Sequence, residues 1–82
     1  MCKSATAHRN WQLAVERFNE LLHVDSCHAE AYFCRARAFA ELKTWDHALA
    51  DFSAAIHLNP TNAKAFYYRG CLLHKYAVLQ FL

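Results

Sequence analysis

Residues 29–62 read AEAYFCRARAFAELKTWDHALADFSAAIHLNPTN and carry the strongest structural signal in this chain. In the first half, Tyr32, Ala36 and Phe39 stand at i, i+4 and i+7. In the second half, apolar residues stand at i, i+1, i+4, i+7 and i+8, namely Ala48, Leu49, Phe52, Ala55 and Ile56. Each set forms one apolar stripe on an α-helix, so the segment predicts helices near 29–42 and 45–58.

This pattern is repeated along the chain. When the sequence is compared with itself at an offset of 34 residues, pairs of identical or similar residues are spread over a stretch of more than thirty residues. The identical pairs are Trp11 and Trp45, Ala14 and Ala48, Phe18 and Phe52, His23 and His57, Ala29 and Ala63, Ala31 and Ala65, and Arg35 and Arg69. A fixed period of this length is typical of helical repeat arrays.

The same spacing predicts further helices on both sides of the segment. A short helix is expected near 2–8, and longer helices near 11–24 and 62–76. Asn10 and Thr44 each precede a tryptophan, and both are residue types that cap helix N-termini. Because the predicted connections are short, we expect neighbouring helices to run antiparallel.

The segment Asn59-Pro60-Thr61-Asn62 separates the last two predicted helices. Pro60 lacks an amide hydrogen and cannot continue the helix before it. Either Thr61 or Asn62 can cap the helix that follows.

The composition argues against several classes of protein. The chain has 82 residues, of which 56% are hydrophobic and 20% charged, a balance too apolar for an intrinsically disordered protein. One Gly and one Pro favour helices over a sheet with many turns. The formal charge is +2, and acidic and basic residues are mixed along the chain. A basic face that binds nucleic acid is therefore not predicted. No apolar run approaches the ~18–20 residues that span a membrane, so no membrane contact is expected.

The cysteines indicate the compartment. Cys2, Cys27, Cys34 and Cys71 form no Cys-x-x-Cys pair, and residues 1–10 lack the apolar stretch of a secretory signal. We therefore expect free thiols and a cytoplasmic, reducing location.

With the period of 34, the set Tyr32, Ala36, Phe39, Ala48, Phe52, Ala55 and Pro60 resembles the tetratricopeptide repeat. The resemblance implies an all-α fold, with antiparallel helical hairpins stacked as a right-handed solenoid in a single domain over 1–82. It divides the chain into a partial first repeat (1–28), a complete repeat (29–62) and a partial last repeat (63–82). The first repeat departs from the family pattern at Leu21, where a small residue is expected, and at Ser26, where proline is expected.

The resemblance also implies a partly buried ion pair between Arg35 and Asp51. Arg69 is the equivalent arginine of the last repeat, but no second helix follows it to supply an acidic partner.

The segment 76–82 reads YAVLQFL and carries no charge, glycine or helix stop. One interpretation is that it continues the last helix. The other is an altered chain end that leaves an apolar surface uncovered, which predicts self-association or docking on a neighbour.

In the family, the first helix of each repeat lines a concave groove that binds partners. By position, the resemblance assigns to this groove Glu30, Phe33, Cys34, Arg37 and Glu41 from the complete repeat, and Lys64, Tyr67, Tyr68, Cys71, His74 and Lys75 from the last. Phe33, Tyr67 and Tyr68 favour a binding surface because aromatic rings are costly to leave exposed without use. A solvated helix face is the alternative.

One group of the family clamps the carboxylate ends of chaperone partners with Lys, Asn and Arg. Lys64 matches one clamp position, but Cys34 and Tyr68 stand where Asn and Arg are expected. This clamp is therefore not predicted.

Other chemistry is poorly supported. His23, Cys27 and His28 lack the paired spacing of zinc sites, so no metal or other cofactor is expected. Cys34, Cys71 and His74 share the predicted groove, but nothing in the sequence orients them for catalysis. RNA binding of the pentatricopeptide kind is not favoured, because that repeat is one residue longer and lacks the Trp-x-x-Ala-x-x-x-Phe pattern.

The sequence therefore predicts a non-enzymatic protein-interaction module that holds a peptide or helix of a partner protein. The alternative is a structural spacer or a self-association repeat within a larger assembly.

Overall fold

The structure, a computed structural model, describes the backbone of residues 2–80 and the side chains of residues 9–75, 77 and 78. Over these residues the fold is all-α, without strands. The helices are α1 (Cys2–Val24), α2 (Ala29–Glu41), α3 (Trp45–Leu58) and α4 (Ala63–Gln80). The prediction of an all-α fold is confirmed, and α2 and α3 agree with their predicted bounds to within one residue.

The amino-terminal helix differs from the prediction. Residues 2–8 and 11–24 belong to one continuous helix of 23 residues, and Asn10 lies inside it rather than at its start. The segment contains no Gly or Pro that would break a helix. The capping preference of one asparagine is worth only about 1 kcal/mol, which is too little to interrupt such a segment.

The last helix is longer than expected. It runs to Gln80, so the interpretation of the tail as a continuation of this helix is confirmed as far as that residue. Phe81 and Leu82 lie outside the described residues.

The helix starts are capped by local hydrogen bonds. The backbone amide of Ala31 donates to Nδ1 of His28 at 3.0 Å, and that of Ala65 donates to Oδ1 of Asn62 at 3.2 Å. Of the two residues considered before α4, Asn62 is therefore the cap. Thr44 precedes α3 as predicted, but its side chain makes no capping hydrogen bond.

The turn after α2 requires a left-handed residue, and that residue is Lys43, with φ of 62°. The amide of Lys43 donates to the carbonyl of Ala40, and the amide of Thr44 donates to that of Phe39. This is the Schellman pattern, in which glycine usually takes the left-handed position.

Each helix packs against the next one along the chain. The core alternates small and large residues, and includes Phe33, Ala36, Ala48, Phe52, Ala55, Ala65 and Leu72. Ala36 and Ala48 are fully buried, which allows α2 and α3 to approach closely around the ring of Phe52.

A partly buried ion pair joins α2 to α3, as predicted. Nε and Nη2 of Arg35 donate to Oδ2 and Oδ1 of Asp51 at 2.6 and 2.8 Å. These hydrogen bonds to Asp51 raise the pKa of Arg35. Two parallel bonds fix the relative position of the helices as well as adding energy.

Candidate partner-binding groove

A groove of about 310 Å³ opens between α2 and α4, with α3 below it. Its lining residues are Arg37, Ala40, Glu41, Trp45, Phe52, Tyr67, Tyr68, Cys71, Leu72 and Lys75. The residues of α4 recur at i, i+1, i+4, i+5 and i+8, because one side of that helix faces α2.

The floor of the groove is aromatic. The ring of Phe52 lies parallel to that of Tyr68, with centroids 6.0 Å apart. Phe33 contacts both rings, at 5.8 Å from Phe52 and 5.7 Å from Tyr68. These contacts join residues of α2, α3 and α4, so the floor is formed within the chain and does not depend on a partner for its shape.

Charged groups stand above this floor. The guanidinium carbon of Arg37 lies 5.3 Å from the centroid of Tyr68, within the range of a cation–π interaction. Glu41 and Lys75 are exposed on the same rim. The rim therefore offers both signs of charge around an apolar floor, which is the composition of many protein-binding sites.

Tyr67 is the most exposed aromatic residue of the groove. Its side chain is 68% exposed, and its ring lies 5.7 Å from that of Tyr68 in an edge-to-face arrangement. The hydrogen bond and charge interaction with the Cys71 thiol raise the pKa of Tyr67. A tyrosine is neutral at physiological pH even at its ordinary pKa, and the phenolic oxygen can accept a hydrogen bond from a partner.

The groove contains six of the residues that the sequence predicted for it: Arg37, Glu41, Tyr67, Tyr68, Cys71 and Lys75. His74 lies on an adjoining face of α4, with Phe66 and Gly70. Lys64 is exposed near the start of α4, and neither it nor Cys34 contributes to the lining.

The expectation that Phe33 is exposed in the groove is wrong. Its side chain is only 6% exposed, because it packs against the rings of both Phe52 and Tyr68. Phe33 supports the floor from below rather than contacting a partner.

Cys34 is half-buried beside Glu30. Its thiol donates to a carboxylate oxygen of Glu30 at 3.7 Å. Burial, followed by the negative charge of Glu30, raises the pKa of Cys34. This disfavours the thiolate, so Cys34 is a poor nucleophile. Cys27, Cys34 and Cys71 are free thiols, as predicted.

Trp45 lines the groove, although it is not among the groove residues predicted from the sequence. It also borders a smaller cavity with His74, Lys75 and Val78 of α4. Its position at the first turn of α3 was readable from the sequence. The cavity that it shares with the far half of α4 depends on packing between segments about thirty residues apart.

Within the described part of the chain, no three His, Cys, Asp or Glu side chains are grouped closely enough to hold a metal ion. A search of the same residues found no helix with the length and hydropathy needed to cross a membrane.

No protein-family model matches the chain, and neither does any curated protein or solved structure compared with it.

Proposed function

We propose that the chain is a protein-interaction module whose groove between α2 and α4 binds a peptide or helix of a partner protein. The observation that carries this proposal is the exposed ring of Tyr67 beside a preformed aromatic floor and a charged rim. Rigid aromatic side chains bind partners at a low cost in conformational entropy. Arg37 and Lys75 can pair with partner carboxylates, and Glu41 can pair with a partner cation.

We further propose that the helices form a tetratricopeptide-type array, with antiparallel hairpins stacked as a right-handed solenoid. Contacts that recur at the period of 34 residues support this architecture. Nη1 of Arg35 donates to Oδ1 of Asn19 at 2.8 Å, and Nη1 of Arg69 donates to Oγ of Ser53 at 3.4 Å. The two guanidinium groups also lie at the same distance, 5.6 Å, from the rings of Tyr32 and Phe66.

In this proposal the module acts by binding rather than by catalysis, and its partner is a protein rather than a nucleic acid or a membrane. The free thiols of Cys27, Cys34 and Cys71 favour a cytoplasmic, reducing compartment.

The test is a pull-down from lysate with the full chain and the double variant Arg37→Glu, Tyr67→Ala. The matched control is Arg17→Glu, Leu13→Ala, which makes the same charge change and an apolar truncation on exposed positions of α1. Circular dichroism first establishes that all three proteins are equally helical. We expect a partner that is captured by the parent and the control and lost by the groove variant. Identical captures by all three proteins would contradict the proposal.

The second candidate is the structural spacer or self-association repeat, and the exposed apolar side chains of α4 favour it. Phe66, Leu73 and Val78 are each at least 44% exposed. Sedimentation over a hundredfold range of concentration distinguishes the two functions. A chain that self-associates and captures no other protein would support this second candidate.

A further inference from the structure

Outside the groove, α4 carries an apolar stripe that none of the described helices covers. Phe66, Gly70, Leu73 and Ala77 stand at i, i+4, i+7 and i+11, and all four are exposed. Leu73 is 50% exposed. We refer to these four residues as the α4 outer face.

The equivalent stripe of α2 is covered. At the offset of 34 residues, Phe66, Gly70 and Leu73 correspond to Tyr32, Ala36 and Phe39. Ala36 is fully buried in the core that α3 completes, and the ring of Phe39 lies 5.1 Å from that of His47 on α3. The helix that covers this stripe of α2 is α3, which carries Ala48, Asp51 and Phe52 on its contact face.

The equivalent arginines of α2 and α4 also differ in whether a carboxylate pairs with them. Arg35 is paired through two hydrogen bonds with Asp51 of the covering helix. Arg69, its equivalent, contacts the hydroxyl of Ser53 and the ring of Phe66, and none of the described residues offers it a carboxylate. A guanidinium at the edge of an apolar face, next to a neutral partner only, is complementary to a carboxylate on an incoming helix.

We propose that the α4 outer face docks an amphipathic helix of another protein, one that carries a small residue, a carboxylate three positions later and an aromatic residue directly after it. This is the order of Ala48, Asp51 and Phe52 in α3. The small residue would lie against Gly70, and the carboxylate would pair with Arg69. None of the four residues lines the groove, so docking on the α4 outer face does not require an occupied groove.

A second copy of this chain is a poorer occupant. Its α1 carries the equivalent Trp11, Ala14 and Phe18, but Arg17 stands at the position of Asp51. Docking α1 of one copy on α4 of another would place Arg17 near Arg69. Like charges at an interface oppose association, so the carboxylate is the discriminating feature.

The test uses two peptides from this chain as probes. The first has the sequence of residues 43–60, which contains α3, and the second has that of residues 9–26, its counterpart in α1. Each has a formal charge of −1, from one lysine and two aspartates in the first and from two arginines and three acidic residues in the second. Each peptide is labelled with a fluorophore and titrated with the full chain, and binding is measured by fluorescence anisotropy.

We expect the 43–60 peptide to bind saturably and the 9–26 peptide to bind at least about tenfold more weakly, the loss expected for one charged hydrogen-bonded pair. Asp51→Lys in the first peptide should weaken binding by a similar factor. Arg69→Glu in the chain should do the same, and the two reversed charges together should restore binding. Equal binding of the two peptides, or binding of neither, would overturn the proposal.

Gly70→Arg in the chain locates the site. A Cβ added at Gly70 meets nothing within 4 Å, so this variant should fold normally, as circular dichroism can establish. The long side chain should then block the peptide, whereas Arg37→Glu in the groove should leave peptide binding unchanged. If Gly70→Arg binds the peptide as the parent does, the peptide occupies another site and the proposal fails. Sedimentation of the parent as a dimer that Gly70→Arg dissociates would also overturn it, because a second copy would then cover the face.

Discussion

Replacing Gly70 with alanine should make this protein more stable. Gly70 lies in the interior of α4, is exposed, and has open space where a side chain would begin. A glycine inside a helix costs about 0.8–1.0 kcal/mol relative to alanine, because the unfolded chain loses more conformational freedom on folding. The new methyl group meets no neighbour, so no steric cost offsets this gain. We expect the free energy of unfolding to rise by about 1 kcal/mol.

The full gain is expected only if α4 unfolds together with the rest of the chain. The stacked rings of Phe52 and Tyr68 and the burial of Ala65 and Leu72 connect α4 to α3, which favours a single transition. For a domain of this size, 1 kcal/mol corresponds to a rise of about 4–8 °C in the melting temperature.

The measurement is urea denaturation followed by circular dichroism at 222 nm, at several protein concentrations. Ala50→Gly is the matched control, because Ala50 is exposed on α3 and the opposite substitution should lower stability by about the same amount. A loss of stability in Gly70→Ala, with Ala50→Gly behaving as expected, would refute the reasoning. It would mean that a neighbouring helix or a second molecule covers Gly70 in solution.

Three further predictions concern α2 and its ends. Lys43→Gly should stabilise the protein by about 0.5–1 kcal/mol in the same urea assay, because glycine adopts the left-handed backbone of this turn without strain. A lower free energy of unfolding would contradict the left-handed conformation of residue 43. In a double-mutant cycle, Arg35→Ala and Asp51→Ala should show a coupling free energy of about 1–3 kcal/mol, and additive effects would show that the pair contributes nothing. The raised pKa of Cys34 makes its thiolate scarcer in the folded protein, so iodoacetamide should modify it more slowly than the exposed Cys27 at pH 8. Equal alkylation rates for the two cysteines would argue against a half-buried Cys34. Because the folded-state pKa of Cys34 is raised, the stability that its protonated thiol contributes should be lost as the pH rises above the ordinary thiol range.

Some of the candidate site could be predicted from the sequence and some could not. The spacing of Tyr67, Cys71 and Lys75 placed them on one side of α4, and the groove contains all three. Phe33 has the same spacing relative to Arg37, yet it is buried. Helical spacing gives the direction of a side chain from its own helix. It does not show whether an aromatic ring from another helix, here Tyr68, covers that side chain.

Local signals in the sequence were sufficient for the all-α fold, the bounds of α2 and α3 and the position of the turn at Pro60, because each depends on residues within a few positions of one another. The Arg35–Asp51 pair was expected from the resemblance to a repeat family rather than from spacing. The continuity of α1 through Asn10, the left-handed Lys43 and the cavities that Trp45 lines together with α4 became visible only in the tertiary structure. Each reflects competition among small energies or contacts between segments far apart in the chain, and short sequence patterns do not record either.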